Sequence, residues 1–370
     1  MTPEAVWYQG HRLAYPLMPL SWLYRGAVQL RRTAYRRGVL PQGHPGVPVI
    51  VVGNLTVGGT GKTPLVLWLA QWLAQQGLNP GILARGYRGR ARNWPRWVTA
   101  ESDPEEVGDE AVLLARRSAR PTAAGPDRTA SAAMLVQHGE CDIIVSDDGL
   151  QHYPLRRDLE ILVVDGQRRL GNGHCLPAGP LREPQTRLAT VDLLVCHGAE
   201  WPGGYRMELI GERLVALSNP LHLRDLAELR GLAVTAVAGV GNPQRFFRRL
   251  RAAGLNVRER AYPDHHRFRP EDVASWPPGP VVMTEKDAVK CSGLSGPDHW
   301  YLPVAARLEG AFETELKQRI EALIDGQETT RHPGVLPVQG ATALRQAGRR
   351  AHLSGRPTRL PDSRRHPDHA

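Results

Sequence analysis

Val47–Thr63 reads VPVIVVGNLTVGGTGKT, an apolar run that stops at glycine and ends in Gly-Lys-Thr. Val49, Ile50, Val51 and Val52 are β-branched without interruption, the composition of a parallel strand buried on both faces. Gly58, Gly59 and Gly61 around Thr60 let the backbone approach a polyphosphate closely with its amides turned inward. Lys62 adds a compact positive charge, and Thr63 a hydroxyl suited to Mg²⁺. In the following PLVLWLAQWLAQQG, apolar residues recur at helical spacing, Pro64 falls in the first turn and Gly77 ends the run. Strand, phosphate loop and helix predict a P-loop NTPase-like α/β/α domain. The pattern departs from the usual P-loop at Thr56, where glycine is customary. Lysine usage supports it nonetheless: among 47 Lys and Arg, only Lys62, Lys286, Lys290 and Lys317 are lysine. Where arginine is the default cation, a loop lysine reads as a required point charge for phosphate.

At 370 residues the chain is long enough for two domains. Cys141, Cys175, Cys196 and Cys291 show no C-x-x-C spacing, which argues against a zinc site and a disulfide framework and fits a reducing compartment. No run of 18 apolar residues predicts a membrane span, and no signal peptide is expected. The net charge of +10 suggests nucleic acid until it is located along the chain. Residues up to Gly46 and those after Gly326 carry +5 each, so the body between them is neutral, and no nucleic-acid partner is expected.

Before the phosphate loop, Leu20, Leu23, Tyr24, Ala27, Val28, Leu30, Ala34 and Tyr35 share one arc of a helix starting near Pro19, with Arg25, Arg32 and Arg36 opposite. A membrane-interface helix and a helix packed on the domain's own core both fit this pattern. Further along, Gly108, Asp109 and Glu110 open a helix, where acids cap an N-terminus or aim a carboxylate at a substrate hydroxyl. Arg128 opens another after Gly125-Pro126-Asp127. CDIIVSDDGLQH, Cys141–His152, is a buried strand ending in Asp147 and Asp148, the Walker B arrangement for Mg²⁺. LEILVVD, ending at Asp165, is a rival with one acid. Gly171–Pro184 reads as an active-site loop or lid in which Arg182 is the best ligand-facing residue.

The character changes near Trp201, where a short two-stranded connection is expected. A fresh α/β pattern follows, with Asp264, His265 and His266 in a loop and Thr284–Asp287 at a strand end. The layout is an N-terminal amphipathic segment (1–46), a P-loop domain (47–203), a linker (204–219), a smaller second α/β/α domain (220–326) and a disordered basic tail (327–370).

In that order, GNLTVGGTGKTP, GDE, GPDR, SDDGLQH, GPLREP, the Asp-His of PDHHRF and TEKDAVK resemble the tetraacyldisaccharide 4'-kinase family, the lipid A 4'-kinases of Gram-negative bacteria. The resemblance covers about Leu13 to Ile324 and includes threonine at the position of Thr56. It implies transfer of the γ-phosphate of ATP, with Mg²⁺, to the 4'-hydroxyl of an acylated glucosamine disaccharide 1-phosphate at the cytoplasmic face of the inner membrane. It implies Asp109 as catalytic base assisted by His265, with His266 alongside leaving that assignment open by one residue. It further implies Lys62 in catalysis, Thr63, Asp147 and Asp148 as metal ligands, and Thr56, Gly58, Gly59, Thr60, Gly61, Lys62 and Thr63 as nucleotide-binding residues. Arg128, Gln151, Arg182, Lys286 and Asp287 are implied ligand-positioning residues. A reading of a different class, a P-loop ATPase that switches conformation to recruit partners, shares Lys62 and Asp147 but needs neither Asp109 nor His265.

Overall fold

The computed structural model describes residues 3–291, 293–294 and 296–331. α1 (Pro3–Tyr8) and α2 (Ala14–Arg36) lead into β1 (Val49–Gly53) and α3 (Lys62–Gln75). β2 (Pro80–Ala84), β3 (Arg96–Val98), α4 (Pro104–Val107), α5 (Asp109–Ser118), β4 (Thr122–Ala124), α6 (Arg128–Gly139), β5 (Ile143–Asp147), β6 (Leu159–Asp165), β7 (Leu193–His197) and β8 (Tyr205–Ile210) follow. Then come β9 (Arg213–Ala216), β10 (Leu223–Asp225), β11 (Ala233–Ala238), α7 (Pro243–Ala252), β12 (Asn256–Ala261) and α8 (Pro270–Ala274). β13 (Val281–Thr284), α9 (Glu285–Lys290), β14 (His299–Leu302), β15 (Ala305–Leu308) and α10 (Gly310–Arg331) complete the described chain.

Among the described residues the strands form a nine-stranded sheet, β15-β8-β7-β6-β1-β5-β2-β4-β3, and a six-stranded sheet, β10-β9-β14-β13-β11-β12. The larger sheet is parallel except at its edge strands β3 and β15. β1 lies at its centre, wholly buried, as its unbroken β-branched run requires. Because β1 pairs with β5 on one side and β6 on the other, the strand order reverses there, and an α/β sheet opens its ligand crevice at such a reversal. Val52 pairs with Asp147, so the phosphate loop and the acidic pair leave the sheet side by side.

The two-stranded connection is a ribbon shared by both sheets. β8 continues into β9 across Gly211 and Glu212, and β14 into β15 across Pro303 and Val304. β8 pairs antiparallel with β15 in one sheet, and β9 with β14 in the other. A Cβ on Gly211 would lie 2.3 Å from the Pro303 carbonyl, which explains glycine at this crossing. Arg249 of α7 donates to the Leu209 and Gly211 carbonyls, both at 3.0 Å, and pins the crossing from the smaller sheet. β15 therefore returns to the larger sheet, and Phe312 of α10 packs on Trp68 of α3 and Tyr205 of β8. The segment expected as a second domain up to residue 326 is thus divided between the sheets, because local pattern does not reveal which sheet a strand joins. The residues through Arg319 form one compact unit; of a second unit, from Ile320, the described part is the end of α10. Helix extends to Arg331, past the expected start of the tail, and the rest of that tail lies outside the described residues.

α2 begins at Ala14, earlier than the expected start near Pro19, so Pro19 lies inside the helix, where its missing N–H cannot donate to the carbonyl one turn back. One face packs on the body: Ser21 Oγ donates to the Cys175 carbonyl at 2.7 Å and Tyr24 to the Arg182 carbonyl at 3.0 Å. The other face leaves Leu20, Leu23 and Leu30 exposed at 54%, 72% and 73%. The helix is thus packed on the domain by one face and exposes leucines on the other. No helix among the described residues is long and apolar enough to cross a membrane.

Candidate active site

Gly58 and Gly61 adopt φ of 112° and 97°, the left-handed region that favours glycine, and Gly61 caps α3. Thr56 has no such conformation. It is buried and bridges to Leu181, while Val57 N–H donates to the Pro180 carbonyl at 2.9 Å, so a side chain is accommodated where glycine is customary. Gly171–Pro184 is therefore tied along the phosphate loop and α2. Asn54, just after β1, donates to the Thr56 and Gly58 carbonyls at 2.8 and 3.3 Å and accepts from Lys62 Nζ at 3.1 Å. One short side chain thus sets both the loop's curvature and the lysine's position.

Lys62 Nζ also lies 3.4 Å from Asp148, which receives Arg182 Nη1 at 2.9 and 3.0 Å. These cations hold the Asp148 carboxyl far below the usual range despite its burial. Asp147 is the opposite case. Burial, then the Glu110 charge, raise its carboxyl to about 7 against the opposing effect of Lys62. Asp147 Oδ1 and Thr60 Oγ1 are buried without a hydrogen-bond partner among the described residues. An orphaned carboxylate oxygen of this kind fits a hard cation. Arg128, fully buried, donates to Ser146 Oγ at 2.8 Å, and burial lowers its guanidinium to about 10. A Cβ on Gly149 would meet Ser146 Oγ at 2.7 Å and Arg128 Nη1 at 2.9 Å, so the glycine after the acids makes room for this arginine.

The other half of the site comes from both sheets. Asp109, buried at the first turn of α5, accepts from His265 Nδ1 at 3.0 and 3.1 Å. Burial pushes the Asp109 carboxyl up, but the His265 hydrogen bond and the Lys286 charge outweigh it and hold it below its ordinary value. Lys286 of α9 donates to Glu110 at 3.0 Å and lies 3.3 Å from His265 Nε2. A cavity of about 370 Å³ opens here, lined among others by Tyr87, Gly108, Asp109, His265 and Lys290. The geometry also separates the two adjacent histidines, since His266 pairs with Asp272 at 3.0 Å and stacks on Tyr262.

A phosphate loop with its lysine held by Asn54 and Asp148, beside a buried carboxylate oriented by a histidine, has the layout of a phosphotransferase. Residues 13–321 match the family model described as tetraacyldisaccharide-1-P 4'-kinase. The chain belongs to this family. It is 49% identical to the tetraacyldisaccharide 4'-kinase of Nitrosococcus oceani over 84% of this chain and 91% of that one. It is 52% identical to that of Alkalilimnicola ehrlichii over 84% and 93%. Among solved structures it is similar to the "apo" form of LpxK from Aquifex aeolicus in complex with ATP, with a TM-score of 0.70 and 30% identity over 84% of this chain and 99% of that one.

Not every residue expected at this family's site faces it. Asp287 is 0% exposed, accepts the Gly239 N–H at 2.9 Å and pairs with Lys290 at 2.7 Å, so it braces the β11–α7 loop from behind. Gln151 donates to the Asn54 carbonyl at 3.2 Å and to buried Glu183 at 2.9 Å, which makes it a support for the loop. The structure adds residues that sequence reasoning did not assign. Glu183, inside the Gly171–Pro184 segment, also accepts from Tyr153 at 2.5 Å and pairs with Arg187. Arg245 of α7 donates to the Gly59 carbonyl at 2.9 Å, to Asp165 at the end of β6, and lies 3.3 Å from His197 Nδ1. Asn54 and Glu183 lie inside motifs read from the sequence, GNLTVGGTGKTP and GPLREP, although their partners are not legible there; Arg245 lies in no such motif.

Proposed function

We propose that this chain transfers the γ-phosphate of ATP to the 4'-hydroxyl of an acylated glucosamine disaccharide 1-phosphate in lipid A biosynthesis. The reading is carried by the pairing of Asp109 with His265 beside a phosphate loop that presents Lys62. The amides from Gly58 to Gly61 cradle the nucleotide's phosphates, and Lys62 neutralises the charge at the transferring group. Thr63, Asp147 and Asp148 would hold Mg²⁺, and Asp148 also pairs with Lys62 and Arg182. The ion, when bound, neutralises charge on the phosphoryl oxygens. Asp109, ionised at neutral pH, accepts the hydroxyl proton as the acceptor oxygen attacks in line, and His265 orients the carboxylate. Arg128 and Arg182 fix the acidic strand end, and Lys286 anchors the histidine loop.

In the same reading, residues 47–203 are the kinase domain and the six-stranded sheet a second domain that contributes His265. The exposed leucines of α2 rest on the cytoplasmic face of the inner membrane, which keeps the substrate's acyl chains in lipid while its sugar reaches the site. The test is transfer of labelled γ-phosphate from Mg-ATP to tetraacyldisaccharide 1-phosphate in detergent micelles. A labelled lipid with the parent, absent with Lys62→Ala and Asp109→Asn, is the expected result. ATP hydrolysis without labelled lipid would overturn the reading in favour of a switch ATPase.

A further inference from the structure

A second cavity, of about 400 Å³, lies under the C-terminal half of α2, at the opposite edge of the larger sheet from the phosphate loop. Its position follows from Asp158 in its wall, which accepts the N–H of Val49, the first residue of β1, at 2.8 Å; the phosphate loop leaves β1 from its other end. Five arginines line it, Arg32, Arg36, Arg156, Arg157 and Arg187, against three carboxylates. All three carboxylates are already engaged. Asp158 also pairs with His44 at 3.0 Å, Glu160 receives Arg157 and Arg187, and Asp192 accepts the Glu160 N–H at 2.8 Å with Arg319 at 3.7 Å.

The arginines divide accordingly. Arg157 and Arg187 are held by Glu160, Glu183 and backbone carbonyls. Among the described residues Arg32 has one hydrogen-bond partner, the Thr190 hydroxyl at 2.7 Å. Arg36 and Arg156 make no side-chain hydrogen bond or ion pair among the described residues. Burial and the neighbouring Arg187 and Arg36 charges lower the Arg32 guanidinium from its ordinary value, as expected where cations crowd around a recess. Tyr35 and Tyr153, stacked at 5.8 Å, supply one wall. A cavity of this size suits a small molecule, and three guanidinium groups with no carboxylate within ion-pair distance among the described residues suit a planar or tetrahedral oxyanion, although the Glu183 and Asp158 charges lie near Arg32 and Arg156.

We propose that this cavity binds a phosphate-bearing anion, distinct from the nucleotide, through Arg32, Arg36 and Arg156. The cavity wall is joined to the catalytic side by a continuous chain. Tyr153 donates to Glu183, Gln151 donates to Glu183 and lies 3.5 Å from Arg182, and Arg182 binds the Asp148 that faces Lys62. The ligand's phosphate comes either from a soluble phosphate ester or from the headgroup of an acidic phospholipid.

The test uses the full chain with its nucleotide site held by a non-hydrolysable ATP analogue, in detergent micelles for calorimetry and without detergent for flotation. Glycerol 1-phosphate and inorganic pyrophosphate are titrated by calorimetry, and flotation on phosphatidylglycerol vesicles is compared with flotation on phosphatidylcholine. The variants are Arg36→Ala/Arg156→Ala and, as a control for diffuse charge, Arg25→Ala/Arg37→Ala, which alters arginines outside the cavity lining. Losing two charge-assisted contacts should weaken binding at least ~10-fold in the first variant only, with thermal stability and analogue affinity unchanged. If the soluble probes bind and show that loss, the source is a soluble ester. If only phosphatidylglycerol vesicles separate the two variants, the source is lipid. Equal weakening by both double variants, or no difference between parent and the first variant with any probe, would overturn the proposal.

Discussion

His265 Nδ1 lies 3.0 and 3.1 Å from the two carboxylate oxygens of Asp109, across 156 residues of chain and from the other sheet. The contact favours the ionised form of Asp109 in a buried place, the state the proposed base must occupy before its substrate arrives. Asp109→Asn should lower acceptor phosphorylation about 10²–10⁴-fold while leaving ATP affinity within about twofold, read by single-turnover transfer and nucleotide titration. His265→Ala removes a cause of the low Asp109 pKa, so the acidic limb of its kcat/KM profile should move to higher pH. A limb that stays in place would show that His265 does not set the state of Asp109.

Asp147 titrates the other way. Its folded carboxyl is raised to about 7 from an unfolded value of 3.8, so the folded chain binds the extra proton between those values, and stability falls as pH rises through that window. In the absence of divalent cations, Asp147→Asn should therefore melt higher than the parent at pH 8, with the gain shrinking as pH falls towards 4. The parent's apparent Mg²⁺ affinity should drop with pH below about 7, because the ion must displace that proton. Mg²⁺ affinity unchanged between pH 5.5 and 8 would contradict this assignment.

Arg245 reaches from α7 to the Gly59 carbonyl, and a planar trans peptide fixes the Thr60 N–H in the opposite direction. Arg245→Ala should free that peptide and raise KM for ATP ~10-fold with a smaller change in kcat. Arg245→Lys should recover part of the loss. An unchanged KM would mean that the phosphate loop holds its shape without this contact.

Glu183 is wholly buried between Tyr153, Gln151 and Arg187. Glu183→Ala leaves the Arg187 guanidinium buried with one carboxylate fewer and should cost about 3–5 kcal/mol in urea unfolding. Glu183→Gln, which keeps the hydrogen bonds to Tyr153 and Gln151, should cost less.

The exposed leucines of α2 call for point changes, because deleting the helix would also remove the Ser21 and Tyr24 contacts to the body. Leu23→Gln/Leu30→Gln should reduce partitioning onto anionic vesicles by about 100-fold if both side chains bury in the interface, with the melting temperature unchanged. Undiminished binding would show that this face does not meet lipid.

Much of the local structure of this protein was legible in its sequence. The β-branched run of β1, the glycines at positive φ around Lys62, and the acids that close β5 each follow from short-range rules of burial, conformational freedom and charge. Those rules also predicted a two-part α/β fold with a two-stranded connection. Tertiary structure alone decided what requires distant segments to meet: that β15 rejoins the first sheet, that Asp109 meets His265 rather than His266, and that Arg245 grips Gly59. It also separated paired residues of similar appearance. Asp148 meets Arg182 and Lys62, which favour its ionised form, whereas Asp147, one residue away, has no ion pair among the described residues, and burial raises its carboxyl to about 7. A carboxylate's state depends on desolvation and on which charges lie within a few ångströms, and only the folded chain sets those distances.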